Sequence, residues 1–187
     1  MRLPPLPDDQ WDERARASLA GLLPEKRRSL RGAGNALGTF VRHPDLAEAF
    51  LGFSAHLLRR STLPPRVREL VILRVAVLNR ADYEWQAHEP PARAAGVTDA
   101  QLAEIRQEQP VELSPEVLAA VAYADAMTRN IIVPDALYDA LGEFFDDRQI
   151  VELTATAAVY NMVSRFLVAL EVGQERASAV VDSAGVM

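Results

Sequence analysis

The chain has 187 residues, 49% of them hydrophobic, enough for one substantial core and too few for two full-sized domains. Its net charge of -6, with acidic and basic residues intermixed, argues against a phosphate-tracking surface, so nucleic acid is not an expected partner. The absence of cysteine excludes disulfides, thiolate metal ligands and thiol nucleophiles together. No continuous apolar run reaches a membrane-spanning length, and the start of the chain lacks a signal-like apolar core. A soluble, cytoplasmic protein with no membrane partner is the expectation.

In chain order, RLPPLPD predicts an extended arm over about residues 1–9, and DDQWDERARASLAGLL predicts a helix with an acidic first turn. RRSLRGAGNA reads as a loop or irregular turn because of its glycines, and ALGTFVRHP as a short helix stopped by Pro44. DLAEAFLGFSAHLLRRS places Leu46, Phe50, Phe53 and Leu57 at helical spacing. His43 is expected to meet the terminal carbonyls of the preceding helix, and His56 to lie at a surface or interface. PPRVRELVILRVAVLN, opened by Pro64 and Pro65, predicts the central and most apolar helix.

The stretch RADYEWQAHEPPARAAG follows directly. Pro90 and Pro91 predict a kink or restart just beyond His88, and Gly96 a C-terminal cap. Thr98 and Ser114 are expected N-caps of two further helices, with Pro115 at the first helical position of the second. VPDALYDALGEFF and DRQIVELTATAAVYNMVSRFLVALEVGQ complete the helices, and a frayed tail is expected over about 177–187. No alternating strand pattern occurs, so the fold class is all-α in a single domain, 1–187. An internal echo aligns RVRELVILRVAVLNRADYEW with RQIVELTATAAVYNMVSRFL, setting Glu69 opposite Glu152 and suggesting two pseudo-repeated helical halves, of which only the first carries a Glu-His pair.

Glu84 and His88 lie four apart, on one helical face, where they can hydrogen-bond or converge on one ligand. A carboxylate beside an imidazole can fix its tautomer and equips it as a general acid or base near neutral pH. The competing reading is a structural pair worth only about 0.2–0.5 kcal/mol to the helix. Tyr83 and Trp85 flank the carboxylate and are candidate substrate contacts. Arg74, set in the apolar run VILRVAVL, either binds a substrate carboxylate or pairs with a buried acid such as Glu152 or one from another subunit. Glu69 divides in the same way between proton relay and ion pair. Tyr160 and Asn161 can reach the same region from the last helix, although packing and satisfied hydrogen bonds are the commoner roles for such residues. No ligand set completes a metal site around Glu84 and His88.

The segment RELVILRVAVLNRADYEWQAHEPPARAAGVTDAQLAEIR resembles the carboxymuconolactone decarboxylase family, which includes the AhpD-like alkylhydroperoxidases; HPDLAEAFLGFSAHLL and YNMVSRF are similar in kind. The resemblance implies an AhpD-like multi-helix bundle, a homo-oligomer and a small-molecule substrate. In the peroxidase branch a Cys-x-x-Cys-x-x-x-His motif follows a relay glutamate. His88 matches the histidine and Glu69 the relay glutamate, whereas Ala81 and Glu84 stand at the cysteine positions, so thiol peroxidase activity is not expected. The decarboxylase branch is similar at Glu-x-x-x-His. It implies a cofactor-independent lyase acting on a small anionic or enolisable molecule, with His88, Glu84 and Glu69 catalytic and Tyr83, Trp85, Arg74 and Asn161 binding substrate. The alternative is a non-catalytic ligand-binding or assembly protein on the same scaffold.

Overall fold

The computed structural model describes residues 1–173, all of them in helices, turns or extended connections, so the all-α expectation holds among the described residues. The α-helices are α1 (Glu13–Ser18), α2 (Leu30–Phe40), α3 (Pro44–Arg59), α4 (Pro65–Leu78), α5 (Asp82–Ala94), α6 (Asp99–Glu104), α7 (Pro115–Asn130), α8 (Asp135–Leu141) and α9 (Asp147–Ala169). The tail expected over about 177–187 lies outside the described residues.

Helix α4 is the axis of the molecule. It buries Val67, Leu70, Val71, Ile72, Leu73 and Val75 at 3% exposure or less, each worth about 1.5–3 kcal/mol, and packs against α5, α7 and α9. A smaller cluster of Trp11, Ala15, Leu19, Leu23, Val41 and Leu51 fastens the N-terminal segment onto α3. Arg14 of α1 adds ion pairs to Asp45 and Glu48 of α3. The first residues, ahead of a 3-10 turn at Asp8–Gln10, run back to the end of α9, where the Arg2 N–H donates to the Leu170 carbonyl and its guanidinium meets Glu171 at 2.9 Å.

Several local expectations need correction. RRSLRGAGNA is not a loop throughout: a helical turn opens at Leu30, capped by Ser29, whose hydroxyl accepts from the Gly32 N–H, and across a kink it joins the short helix expected over ALGTFVRHP as α2. Gly34 interrupts it at φ 83° and ψ 171°, a conformation open essentially to glycine alone. Pro44 stops nothing: it sits at the first position of α3, where its missing N–H is harmless. His43 Nδ1 accepts the Leu46 N–H at 3.2 Å, capping the helix that follows and not the one before. Helices α1 and α8 are shorter than predicted. Thr98 caps α6 in a full capping box with Gln101, but Ser114 makes no side-chain cap at α7.

The largest local correction is at α5, which runs unbroken through Pro90 and Pro91. Both prolines are exposed, as are Gln86 and Ala87, whose carbonyls lose the proline N–H donors; water can satisfy them there without breaking the helix. The sharp turn comes instead before α5. Beyond α4 the Ala81 N–H returns to the Ala76 carbonyl at 2.9 Å and the Arg80 N–H to that of Val77 at 3.1 Å, with Arg80 at φ 54°: a Schellman end with arginine where glycine is commonest. The same pattern recurs after α5, with Gly96 at φ 87°. In the aligned echo, α9 continues straight where α4 turns, so its half has no counterpart of α5.

Candidate functional site

The Arg80 turn folds α5 back along α4 and brings His88 onto Glu69, nineteen residues earlier in the chain. Their side chains meet at 2.9 Å, Nδ1 to Oε2, and Glu69 is only 2% exposed. The second oxygen of Glu69 accepts from Arg68 at 3.1 and 3.2 Å, so a cation compensates the buried carboxylate. The close partner that orients the imidazole is therefore Glu69. With Nδ1–H donated to Glu69, the lone pair of His88 rests on Nε2, which faces Glu84 Oε2 at 3.8 Å.

Glu84, in the first turn of α5, is 5% exposed. Burial pushes its carboxyl above the ordinary range, and the neighbouring His88 only partly offsets this. The His88 ring forms a T-shaped pair with Tyr160 of α9, with centroids 4.8 Å apart and planes at 87°. Burial holds the Tyr160 phenol well above its usual range; Glu84 and Glu69 reinforce the shift and Arg68 opposes it.

Glu84, His88 and Tyr160 stand at one wall of a partly open cavity of about 300 Å³ between α2, α3, α5 and α9. Tyr83, Glu84, Ala87 and His88 come from α5, and Val159, Tyr160 and Val163 from α9. Opposite them the wall is apolar, with Leu22, Leu23, Leu37, Phe40, Phe50 and Leu51. The N-terminal segment is thus part of the enclosure. Tyr83 ties it down, its hydroxyl accepting the Ala36 N–H at 3.2 Å beyond the Gly34 kink.

The structure thus brings Glu69, Glu84, His88 and Tyr83 together and places three other candidates elsewhere. Trp85 points to the far side of α5, beneath the Arg106 guanidinium at 3.5 Å and donating to Glu89 at 2.9 Å. Arg74 is fully buried between α4, α6 and α7, held by both oxygens of Asp125 and by the carbonyls of Ile105, Gln107 and Glu108. Glu152 does not pair with it; that carboxylate accepts from Ser61, Thr62 and Leu63. Asn161 is spent on Asn79, Thr128, Ala157 and Arg165. Tyr160, which the sequence offers as a candidate for this region beside its commoner packing role, does line the cavity; Ser54 is not apparent from the sequence pattern and is signalled only as a lone hydroxyl in the apolar register of Leu51 and Leu58. Among the described residues no group of three or more His, Asp or Glu is arranged to hold a metal ion.

Compared with known proteins, residues 44–126 match the profile of the carboxymuconolactone decarboxylase family. No curated protein matches. Among solved structures, the chain is similar to the debrominase Bmp8 in its apo form, at 18% identity over 92% of this chain and 91% of that one, TM-score 0.75. A cysteine-to-alanine variant of that debrominase in complex with 2,3,4-tribromopyrrole matches at 19% identity over 94% and 92%, TM-score 0.72. A protein from Agrobacterium tumefaciens described as a putative antioxidant defence protein AhpD matches at 20% identity, covering 72% of this chain and 94% of that one, TM-score 0.67. At these identities the likeness establishes the fold alone.

Proposed function

Residues 44–126 belong to the carboxymuconolactone decarboxylase family, and from that premise we propose that the chain is a cofactor-independent acid/base enzyme acting on a small enolisable molecule. His88 and Glu84 move the proton, and Glu69 positions His88. The observation that carries this reading is the paired geometry of the imidazole. Nδ1 is engaged by Glu69 at 2.9 Å while Nε2 faces Glu84 at the wall of a cavity. A buried carboxyl pushed above its ordinary range, beside an imidazole oriented by Glu69, can serve as the two ends of one proton transfer.

In this reading a C–H beside a carbonyl loses its proton to the Glu84–His88 pair, the electron pair passes into an enolate, and the same pair returns a proton to carbon. In the lyase version, the carboxylate's C–C electron pair passes into the same enolate as carbon dioxide leaves, and a protonated Glu84 supplies the proton to carbon, directly or through Nε2 of His88. The lining favours an uncharged substrate over an anionic one, because Arg27 is its only Arg or Lys and lies exposed at the rim. The small halogenated ring bound by the debrominase of the same fold agrees with a ring-sized ligand. Thiol peroxidase chemistry has no place in this proposal, since the chain has no cysteine. A homo-oligomer goes with it; exposed Val151, Ala158 and Met162, on one side of α9, offer a second copy an apolar face.

The test is deuterium exchange at the α-carbon of a small cyclic ketone such as 2-cyclohexenone, followed by NMR. Exchange should be catalysed by the wild type and fall by about 10²–10⁴-fold in His88→Gln. A folded His88→Gln protein exchanging at the wild-type rate would leave the Glu-His constellation as a structural pair in a binding protein.

A further inference from the structure

We infer that the cavity carries its own donors for a substrate oxygen, the hydroxyls of Tyr160 and Ser54, and that they select an uncharged, ring-sized apolar molecule with one carbonyl or enol oxygen. The inference rests on the acid/base reading above and names the ligand class of the same site. Ser54 lines the cavity from α3; it is 8% exposed, and its hydroxyl is buried without a hydrogen-bond partner. Tyr160 lines the cavity from α9 at 6% exposure, and its hydroxyl makes no hydrogen bond to another described residue. Buried hydroxyls are normally paired, so the unpartnered hydroxyl of Ser54 at a cavity that the Tyr160 side chain also lines is a functional signal. Their natural partner is an acceptor brought in by a ligand.

The electrostatics decide which acceptor. Burial, Glu84 and Glu69 all favour the neutral phenol of Tyr160, so it remains a donor throughout the neutral range. A neutral donor beside the proton-moving pair can accept the growing charge on an enolate oxygen as the C–H proton leaves. The same two carboxylates repel a ligand that arrives as a dianion. Leu22, Leu37, Phe40, Phe50 and Val159 supply apolar contact for the rest of the molecule.

The probe is 4-nitrophenol, whose absorbance reports ionisation on binding, with nitrobenzene as a control of similar shape lacking the hydroxyl. Wild-type protein should bind 4-nitrophenol. Tyr160→Phe should weaken it about tenfold and Ser54→Ala about threefold, with nitrobenzene affinity unchanged in both. Neither substitution should lower the melting temperature, since the Ser54 hydroxyl has no protein partner and Tyr160→Phe keeps the packed ring. Equal 4-nitrophenol affinity in wild type and both variants, an equal loss for both probes, or no binding of 4-nitrophenol by wild type would overturn the inference. If it is overturned while His88-dependent deuterium exchange persists, the acid/base reading stands alone. If hydroxyl-dependent binding is seen and the wild type catalyses no exchange, the oxygen donors stand and the acid/base reading fails.

Discussion

Replacing Arg74 by methionine keeps the apolar stem of the side chain and removes its guanidinium. Five hydrogen bonds go with it: two to Asp125 at 2.6 Å, and one each to the carbonyls of Ile105 at 3.0 Å, Gln107 at 2.6 Å and Glu108 at 3.0 Å. Breaking a buried pair by removing one partner generally destabilises by about 3–5 kcal/mol, because the other charge is left uncompensated. Asp125 is 21% exposed and has Arg129 at 3.9 Å, so part of its charge is still screened and the lower end applies, about 3 kcal/mol. For a chain of this size that corresponds to a fall of roughly 6–12 °C in melting temperature. Urea unfolding and calorimetry measure it directly, and adding Asp125→Leu should recover part of the loss because the stranded carboxylate is then gone. The reasoning fails if Arg74→Met keeps wild-type stability and instead loses ligand binding, for Arg74 would then be the substrate cation that the sequence alone allows.

Two further outcomes separate chemistry from scaffold. Glu84→Gln should abolish deuterium exchange and gain stability relative to wild type as pH rises above the unfolded-state carboxyl value. The sign follows from the raised carboxyl: its contribution to stability is present below the unfolded-state value and is lost as pH rises through the folded one, a loss that glutamine does not suffer. Melting curves at pH 6 and pH 8 check this, and a variant less stable than wild type at pH 8 contradicts it. Glu152 behaves oppositely. Burial pushes its carboxyl up, but hydrogen bonds from Ser61, Thr62 and Leu63 outweigh that and bring it down to about 2 from 4.5. Its contribution is present above the unfolded value and is lost as pH falls from 4.5 towards 2. Glu152→Gln should therefore lose about 1.5–3 kcal/mol at neutral pH and show a flatter acid limb in urea unfolding, with exchange activity kept.

The helices legible in the sequence are those whose signals are local and agree with one another. The proline start and continuous apolar run of α4 leave no rival reading, and Thr98 and Gly96 mark real ends. Where local signals conflict, packing decides. The glycines of α2 argue for a loop, yet Ala36, Leu37 and Phe40 find apolar neighbours across the cavity, and Gly34 absorbs the one bend that this needs. Pro44 carries the same stop signal whether it closes one helix or opens the next, and the cap from His43 settles it as a start. Pro90 and Pro91 mislead because the rule that proline breaks a helix presumes its orphaned carbonyls are costly; here they belong to exposed residues.

The candidate site divides along a similar line. Glu84 and His88 are legible as a pair because four residues on a helix fix their proximity without reference to the fold. The nearer partner, Glu69, depends on the reversal at Arg80, a left-handed turn written with arginine and so unmarked by the usual glycine signal. Periodicity shows which side of a helix is buried but not which neighbour buries it. That is why Arg74 could be read toward a ligand: nothing near it in sequence announces Asp125, 51 residues on, or three carbonyls beyond α6 that need donors. It also explains Ser54 and Tyr160. Each reads as an ordinary interior residue of its own helix, and only the approach of α3 and α9 to α5 sets both hydroxyls at one cavity with His88, where the lack of a protein partner acquires chemical meaning.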